Sequence, residues 1–132
     1  MADLKLSLML AVTDAEEAST WYQAALGASE KWSLGSVRGL EIGGTLFLLH
    51  PPTEEMASPH DLGTTTVRIE LFTDDTDGVV ARAMSAGAEG SIDGIRNHET
   101  PWGVRRSGGF KDPFGHSWLV GDLAPLAWQG VD

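Results

Sequence analysis

At 132 residues and 42% hydrophobic, the chain is long enough to bury one ordinary core and too short to suggest two independent domains. A formal net charge of −10 argues against nucleic acid, whose phosphates would be repelled, and favours a neutral or cationic ligand. The absence of cysteine excludes disulfides, thiol nucleophiles and thiolate metal sites, and no apolar run approaches the length of a membrane span, so a cytoplasmic protein with no membrane partner is expected.

In chain order, Leu4 to Val12 reads as an apolar strand. Asp14 caps a helix, with Glu17 three residues on as the second member of a capping box. Ala18, Trp21, Tyr22, Ala25 and Leu26 share one face of that helix, and Gly27 stops it. Three strands follow, near Glu30 to Leu34, Val37 to Ile42 and Thr45 to His50, separated by Gly35 and by Gly43-Gly44. Residues 51–63, with three prolines, read as a connection.

The order then repeats. Thr65 to Phe72 is the next predicted strand and Asp75 to Ala86 the next helix, with Val79, Val80, Ala83 and Met84 inward and Gly87 as its stop. Further strands are expected over Gly90 to Arg96, Val104 to Lys111 and His116 to Gly121, before a tail with Pro125 and Trp128. Thr13-Asp14 and Gly27-Ala28 recur as Thr73-Asp74 and Gly87-Ala88, and Gly44 to Leu49 lies over Gly115 to Val120. A period near sixty is too long for an ordinary solenoid, so the copies read as paired modules in a single α+β domain. Module one spans about 4–50, the connection 51–63, module two about 64–121 and the tail 122–132.

Asp112-Pro113-Phe114-Gly115-His116-Ser117-Trp118 joins the last two strands through a tight turn. With Val12-Thr13-Asp14, Trp21-Tyr22, Leu26-Gly27-Ala28, Trp102-Gly103 and Arg105, it resembles the vicinal-oxygen-chelate superfamily of glyoxalases, bleomycin resistance proteins and extradiol dioxygenases. That resemblance covers Leu4 to Asp122. It implies two βαβββ modules whose sheets curve into an open cup, helices behind, a ligand on the concave side and a homodimer.

In such proteins a metal takes one ligand from the first and one from the last strand of each module. The resemblance puts those positions at Ser7, Leu48, Arg68 and Leu119. Two leucines carry no donor and an arginine stays protonated, so no metal and no other cofactor is expected. His50, Glu70, His98 and Glu99 are the residues from which a displaced metal site would have to be built. Beside Gly115, His116 is expected to engage backbone, and His60 to lie on loop surface.

The ligand-binding set expected from these considerations is Ser7, Trp32, Arg38, Leu48, His50, Arg68, Glu70, Trp102, Arg105 and Leu119. Trp118, next to Leu119 on its strand, should point the other way and belong to the core. Trp32 and Trp102 are the rings expected to stack on a planar ligand, with Arg105 and Arg106 offering polar contacts. Two functions compete. One is metal-independent sequestration of a bulky apolar or aromatic natural product or drug, as in the antibiotic-resistance members. The other is a glyoxalase-like isomerase, cyclase or lyase using Glu70 or a relocated metal. With no nucleophile and base recognisable around Ser7 or Ser117, binding is favoured over catalysis.

Overall fold

The computed structural model of the protein describes residues 2–90 and 94–127. They form two compact units that divide between Thr64 and Thr65. Both have the same α+β plan, a βαβββ run whose four strands make an open mixed sheet.

In the first unit, β1 (Leu8–Ala11) leads into α1 (Ala15–Leu26), followed by β2 (Ser29–Leu34), β3 (Val37–Ile42) and β4 (Thr45–His50). The sheet order is β1-β4-β3-β2, with β1 parallel to β4 and the remaining pairs antiparallel. Asp14 accepts the Glu17 N–H at 3.1 Å, the Asp14 half of the expected capping box. Gly27 ends the helix at φ 70°, a left-handed cap in which its N–H bonds to Gln23 O. The Gly43-Gly44 turn sets β3 against β4 so that Ile42 faces Thr45. The helix lays Ala18, Tyr22 and Ala25, all fully buried, against Leu40, Phe47 and Leu49 of the sheet. Tyr22 meets Phe47 edge to face, with centroids 5.8 Å apart. Trp21 and Leu26, expected inward, are only half-buried on the flanks.

The first strand is shorter than its apolar sequence predicts. Leu4 and Leu6 are 93% and 86% exposed, and pairing with β4 begins at Leu8 opposite Phe47. Ser7 Oγ donates to Leu46 O at 2.6 Å, so a side-chain hydroxyl occupies the carbonyl that another residue's worth of ladder would have used.

The second unit repeats the plan with β5 (Arg68–Phe72), α3 (Thr76–Ser85), β6 (Arg96–Thr100), β7 (Gly103–Lys111) and β8 (Ser117–Gly121), in the order β5-β8-β7-β6. Asp75 caps α3 by accepting the Gly78 N–H at 3.0 Å. Val80 and Ala83 are fully buried beneath the helix, with Val79 and Met84 half-buried beside them, and α3 packs on β7 and β8. Two short helices were not foreseen. One, α2 (Pro59–Leu62), lies in the connection and carries His60 on its exposed surface; the other, α4 (Ala124–Ala127), follows β8. A capping box between Ser58 and Asp61 stabilises α2, which is too short to announce itself by periodicity.

The sixth strand is displaced from its expected place. It runs Arg96–Thr100 rather than Gly90 to Arg96, part of which lies outside the described residues, as does Trp128. The turn Pro101-Trp102 fixes the shift: Thr100 pairs with Gly103, and Thr100 Oγ1 donates to Gly103 O at 2.6 Å. His98 and Glu99 are therefore strand residues. Likewise β5 starts at Arg68, where pairing with Ser117 begins, and not at Thr65. Among the described residues no helix is long and apolar enough to cross a membrane.

Candidate functional site

In each unit one sheet face is covered by its helix and the other is left open, and strand register decides which side chains reach which. Directly paired residues share a face and neighbours along a strand alternate. In the first unit Leu40, Phe47 and Leu49 take the helix side, so Met9, Leu48 and Gly39, which pair in one row across β1, β4 and β3, take the open side. Trp32 pairs with Gly39 and its indole lies over that glycine; a methyl group there would overlap the ring, at 2.7 Å from Cζ2. Glycine thus makes room for a tryptophan lying flat. Met9, Trp32 and Leu46 stay 47%, 39% and 37% exposed, an apolar platform of adjacent side chains. His50 closes the row next to Ala11, with Nδ1 2.7 Å from Pro51 O.

Arg38 is placed elsewhere. It pairs with Leu49, on the helix side, where its guanidinium stands 3.4 Å from Glu30 and 3.9 Å from Glu16 and donates to Gly35 O. The register of the Gly43-Gly44 hairpin puts it there, four residues back from Ile42. Ser7, although on the same side as Leu48, precedes β1 and sits one row away.

In the second unit Trp118 and Val120 are buried on the α3 side, and Phe110 stacks on Trp118 at 6.1 Å and 8°. The expectation for Trp118 is met, and its indole donates to Asp112 Oδ2 at 2.8 Å. The open face carries three successive rows: Arg68, Ser117 and Lys111; then Glu70, Leu119 and Gly109; then Phe72, Gly121 and Ser107. Arg68 and Glu70 share this face, yet among the described residues no ion pair joins them. Arg105 pairs with His98 and lays its guanidinium over Gly121, 5.6 Å from the Phe72 ring centroid. Its nearest acid is Asp122, at 4.0 Å, and its Nε and Nη2 are buried without a hydrogen-bond partner. Arg106, on the other side of β7, is committed to Asp77 through two bonds of 2.9 and 3.1 Å. Trp102 is half-buried in the β6–β7 turn. An open groove of about 370 Å³ lies at the end of this sheet, lined by Arg68, Ser117, Lys111, Leu119 and Glu89 together with Phe110 and Trp118, whose side chains belong to the α3 side.

Register thus gathers Trp32, Leu48 and His50 on one open face and Arg68, Glu70, Arg105 and Leu119 on the other. Sequence reasoning missed Met9, Gly39, Phe72, Ser117, Gly121 and Lys111. Counting in twos from Leu119 reaches Ser117 and Gly121; the others require the cross-strand register.

Residues 6–120 match the sequence profile of the Glyoxalase/Bleomycin resistance protein/Dioxygenase superfamily. The chain belongs to this superfamily. It is 35% identical to the Mycobacterium bovis protein Mb0911c, over 88% of this chain and 81% of that one. Its fold is similar to that of lactoylglutathione lyase from Agrobacterium tumefaciens, with a TM-score of 0.69, 17% identity and coverage of 96% and 98% of the two chains. It is also similar to the fosfomycin resistance protein FosX from Listeria monocytogenes, solved with Mn(II), with a TM-score of 0.66, 17% identity and coverage of 92% and 91%.

The Mn(II) in the FosX structure raises the question of whether the residues of this chain fit a cation. Among the described residues no group of three or more His, Cys, Asp or Glu side chains is arranged to hold one. Of the four positions assigned by resemblance, Leu48 and Leu119 offer no donor atom, Arg68 is a cation, and Ser7 offers a single neutral hydroxyl, which donates to Leu46 O. This donor set does not suit a divalent metal.

Proposed function

We propose that the protein is a metal-independent small-molecule binding protein of this superfamily that sequesters a bulky, flat, largely apolar compound. The observation that carries the reading is the open-face row of exposed Met9, half-buried Leu48 and exposed Trp32, the last held flat by Gly39. Flat rings add offset stacking to the area they remove from water, which suits a planar or conjugated ligand. The second unit has an open face of its own, where Leu119 is apolar and Arg105 supplies a desolvated cation. Protection by such a protein needs no turnover, because binding lowers the free concentration of the compound. The working form is a homodimer with two equivalent sites, for which light scattering should read about twice the 14.1 kDa chain mass.

The enzymatic alternative draws on Glu70, an exposed carboxylate beside Leu119 on the open face. Titration of tryptophan fluorescence with a panel of neutral aromatic antibiotics, followed by recovery of the compound, separates the two. Saturable quenching with one equivalent bound and intact compound recovered supports sequestration. Loss of compound beyond one equivalent replaces it with catalysis.

A further inference from the structure

We infer that the groove at the end of the second module's open face is a carboxylate-binding subsite, formed by Arg68, Ser117 and Lys111. This rests on the binding function above and names the ligand class that the second module's open face takes.

The three residues form one row across β5, β8 and β7, Arg68 opposite Ser117 and Ser117 opposite Lys111, all on the open face. Strands about 4.8 Å apart place the two cationic residues roughly 10 Å from one another with the serine between them. Both side chains are long enough to converge above a hydroxyl in that position. A carboxylate there accepts from a guanidinium on one side and an ammonium on the other, with the serine O–H below. The space is present: the groove they line measures about 370 Å³, at the small end of the range for ligand sites. Gly109, in the next row, keeps one wall free of a side chain, and Leu119 supplies an apolar wall for the rest of the molecule.

The charges around this row bear on what it can hold. The chain has 19 acidic residues and only 9 lysines and arginines, and four of those nine pair with a carboxylate among the described residues. Lys31 is paired with Glu41, Arg38 with Glu30 and Glu16, Arg105 with Asp122 and Arg106 with Asp77. Among the described residues, Arg68 and Lys111 make no side-chain hydrogen bond or ion pair, although Glu70 is two positions along β5 and Glu89 is bridged to Lys111 through backbone. Arg68 and Lys111 therefore offer an anion two donors with no ion partner among the described residues, in a groove that Glu89 also lines. The same two acids border it and oppose a second negative charge, which favours a monoanionic carboxylate over phosphate.

The test compares benzoate, benzyl alcohol and inorganic phosphate by amide chemical shifts of the whole 132-residue protein. Benzoate should bind more tightly than either, with shifts centred on Ser117, Leu119 and Gly109. Arg68→Gln and Lys111→Gln should each weaken it about three- to fivefold, the size expected of exposed charge pairs, and 1 M NaCl should do the same. Lys5→Gln, whose residue lies outside the groove, should leave it unchanged. Benzoate binding equal to that of benzyl alcohol, tighter phosphate binding, or indifference to both groove substitutions overturns the subsite. In each of those cases quenching by a neutral aromatic leaves the binding function standing; if no neutral compound quenches either, the function itself is lost.

Discussion

Trp118 Nε1 donates to Asp112 Oδ2 at 2.8 Å, and the other carboxylate oxygen accepts the backbone N–H groups of Phe114 and His116, each at 2.9 Å. One carboxylate, 2% exposed, therefore satisfies three buried donors and holds the last turn against the core. Asp112→Ala leaves those donors without an acceptor, and buried unsatisfied groups cost about 1–3 kcal/mol each before relaxation. A loss of roughly 2–4 kcal/mol is expected, read by urea unfolding. Asp112→Asn should cost less, since one oxygen remains for the backbone pair while the amide opposes the indole N–H. Equal stability of the alanine variant and the parent would remove this account of the motif.

Gly39 and Trp32 form a second dependent pair. A side chain at Gly39 displaces the indole from its flat position over β3, so Gly39→Ala should shift Trp32 emission and weaken binding of planar ligands while the sheet remains folded. Circular dichroism checks the fold and fluorescence the ring. In a Trp32→Ala background the glycine substitution should have almost no further effect on binding, because the ring it displaces is gone; additive losses would show that Gly39 acts independently of Trp32.

The two tryptophans assigned to ligand contact should differ. Trp32 is on the open platform, so Trp32→Ala should cost about 1–3 kcal/mol of ligand affinity. Trp102 is half-buried in the β6–β7 turn, and Trp102→Ala should cost as much only if its ring stacks on the ligand as well. Calorimetry on both variants decides this, and unchanged affinity in both removes the aromatic platform as the basis of binding.

Much of this was legible from residue patterns that act locally. The bounds of β3 and β4 follow from Gly35 and the Gly43-Gly44 turn, and both long helices begin at aspartate caps, because these signals are settled within four or five residues. Periodicity separated Trp118 from Leu119 for the same reason. What escaped depends on register between strands. Arg38 looked available to a ligand until its pairing with Leu49 put it beside Glu30 under the helix side, although the two-residue hairpin already implied that pairing. Lys111 joins Arg68 only through two ladders that bring residues 43 positions apart into one row. The sixth strand was misplaced because Ile92 and Ile95 make 90–96 look strand-like, whereas the Thr100–Gly103 turn sets the pairing.

Arg105 and Gly121 show how tightly the open face of the second module is fitted. A Cβ at Gly121 would stand 2.8 Å from Arg105 Cζ, so Gly121→Ala must push the guanidinium off the Phe72 ring and away from Asp122. The expected cost is about 1–3 kcal/mol, typical of overpacking at a buried position, measured by thermal or urea unfolding. Arg105→Lys should be nearly as costly, because an ammonium lacks the planar face that lies over the glycine. A Gly121→Ala protein as stable as the parent would show that the arginine has room to move.

Leu119 supplies the final test, since it occupies a position where the superfamily resemblance calls for a metal ligand. Replacing it with glutamate adds one carboxylate directly across from Glu70, its partner in the β5–β8 ladder. Cross-strand neighbours lie about 5 Å apart, so the two like charges repel, with Arg68 one row away as the nearest compensating cation on β5. Two carboxylates on adjacent strands still fall short of the three or more donors that a bound divalent cation needs, and Arg68 in the next row is a cation. Leu119→Glu should therefore lose stability by up to about 1 kcal/mol, retain no stoichiometric metal after dialysis and gain no turnover. Elemental analysis and an isomerase assay with added Mn(II) check both parts. Retention of one equivalent of metal by this single variant would mean that the open face holds donors beyond those its register provides.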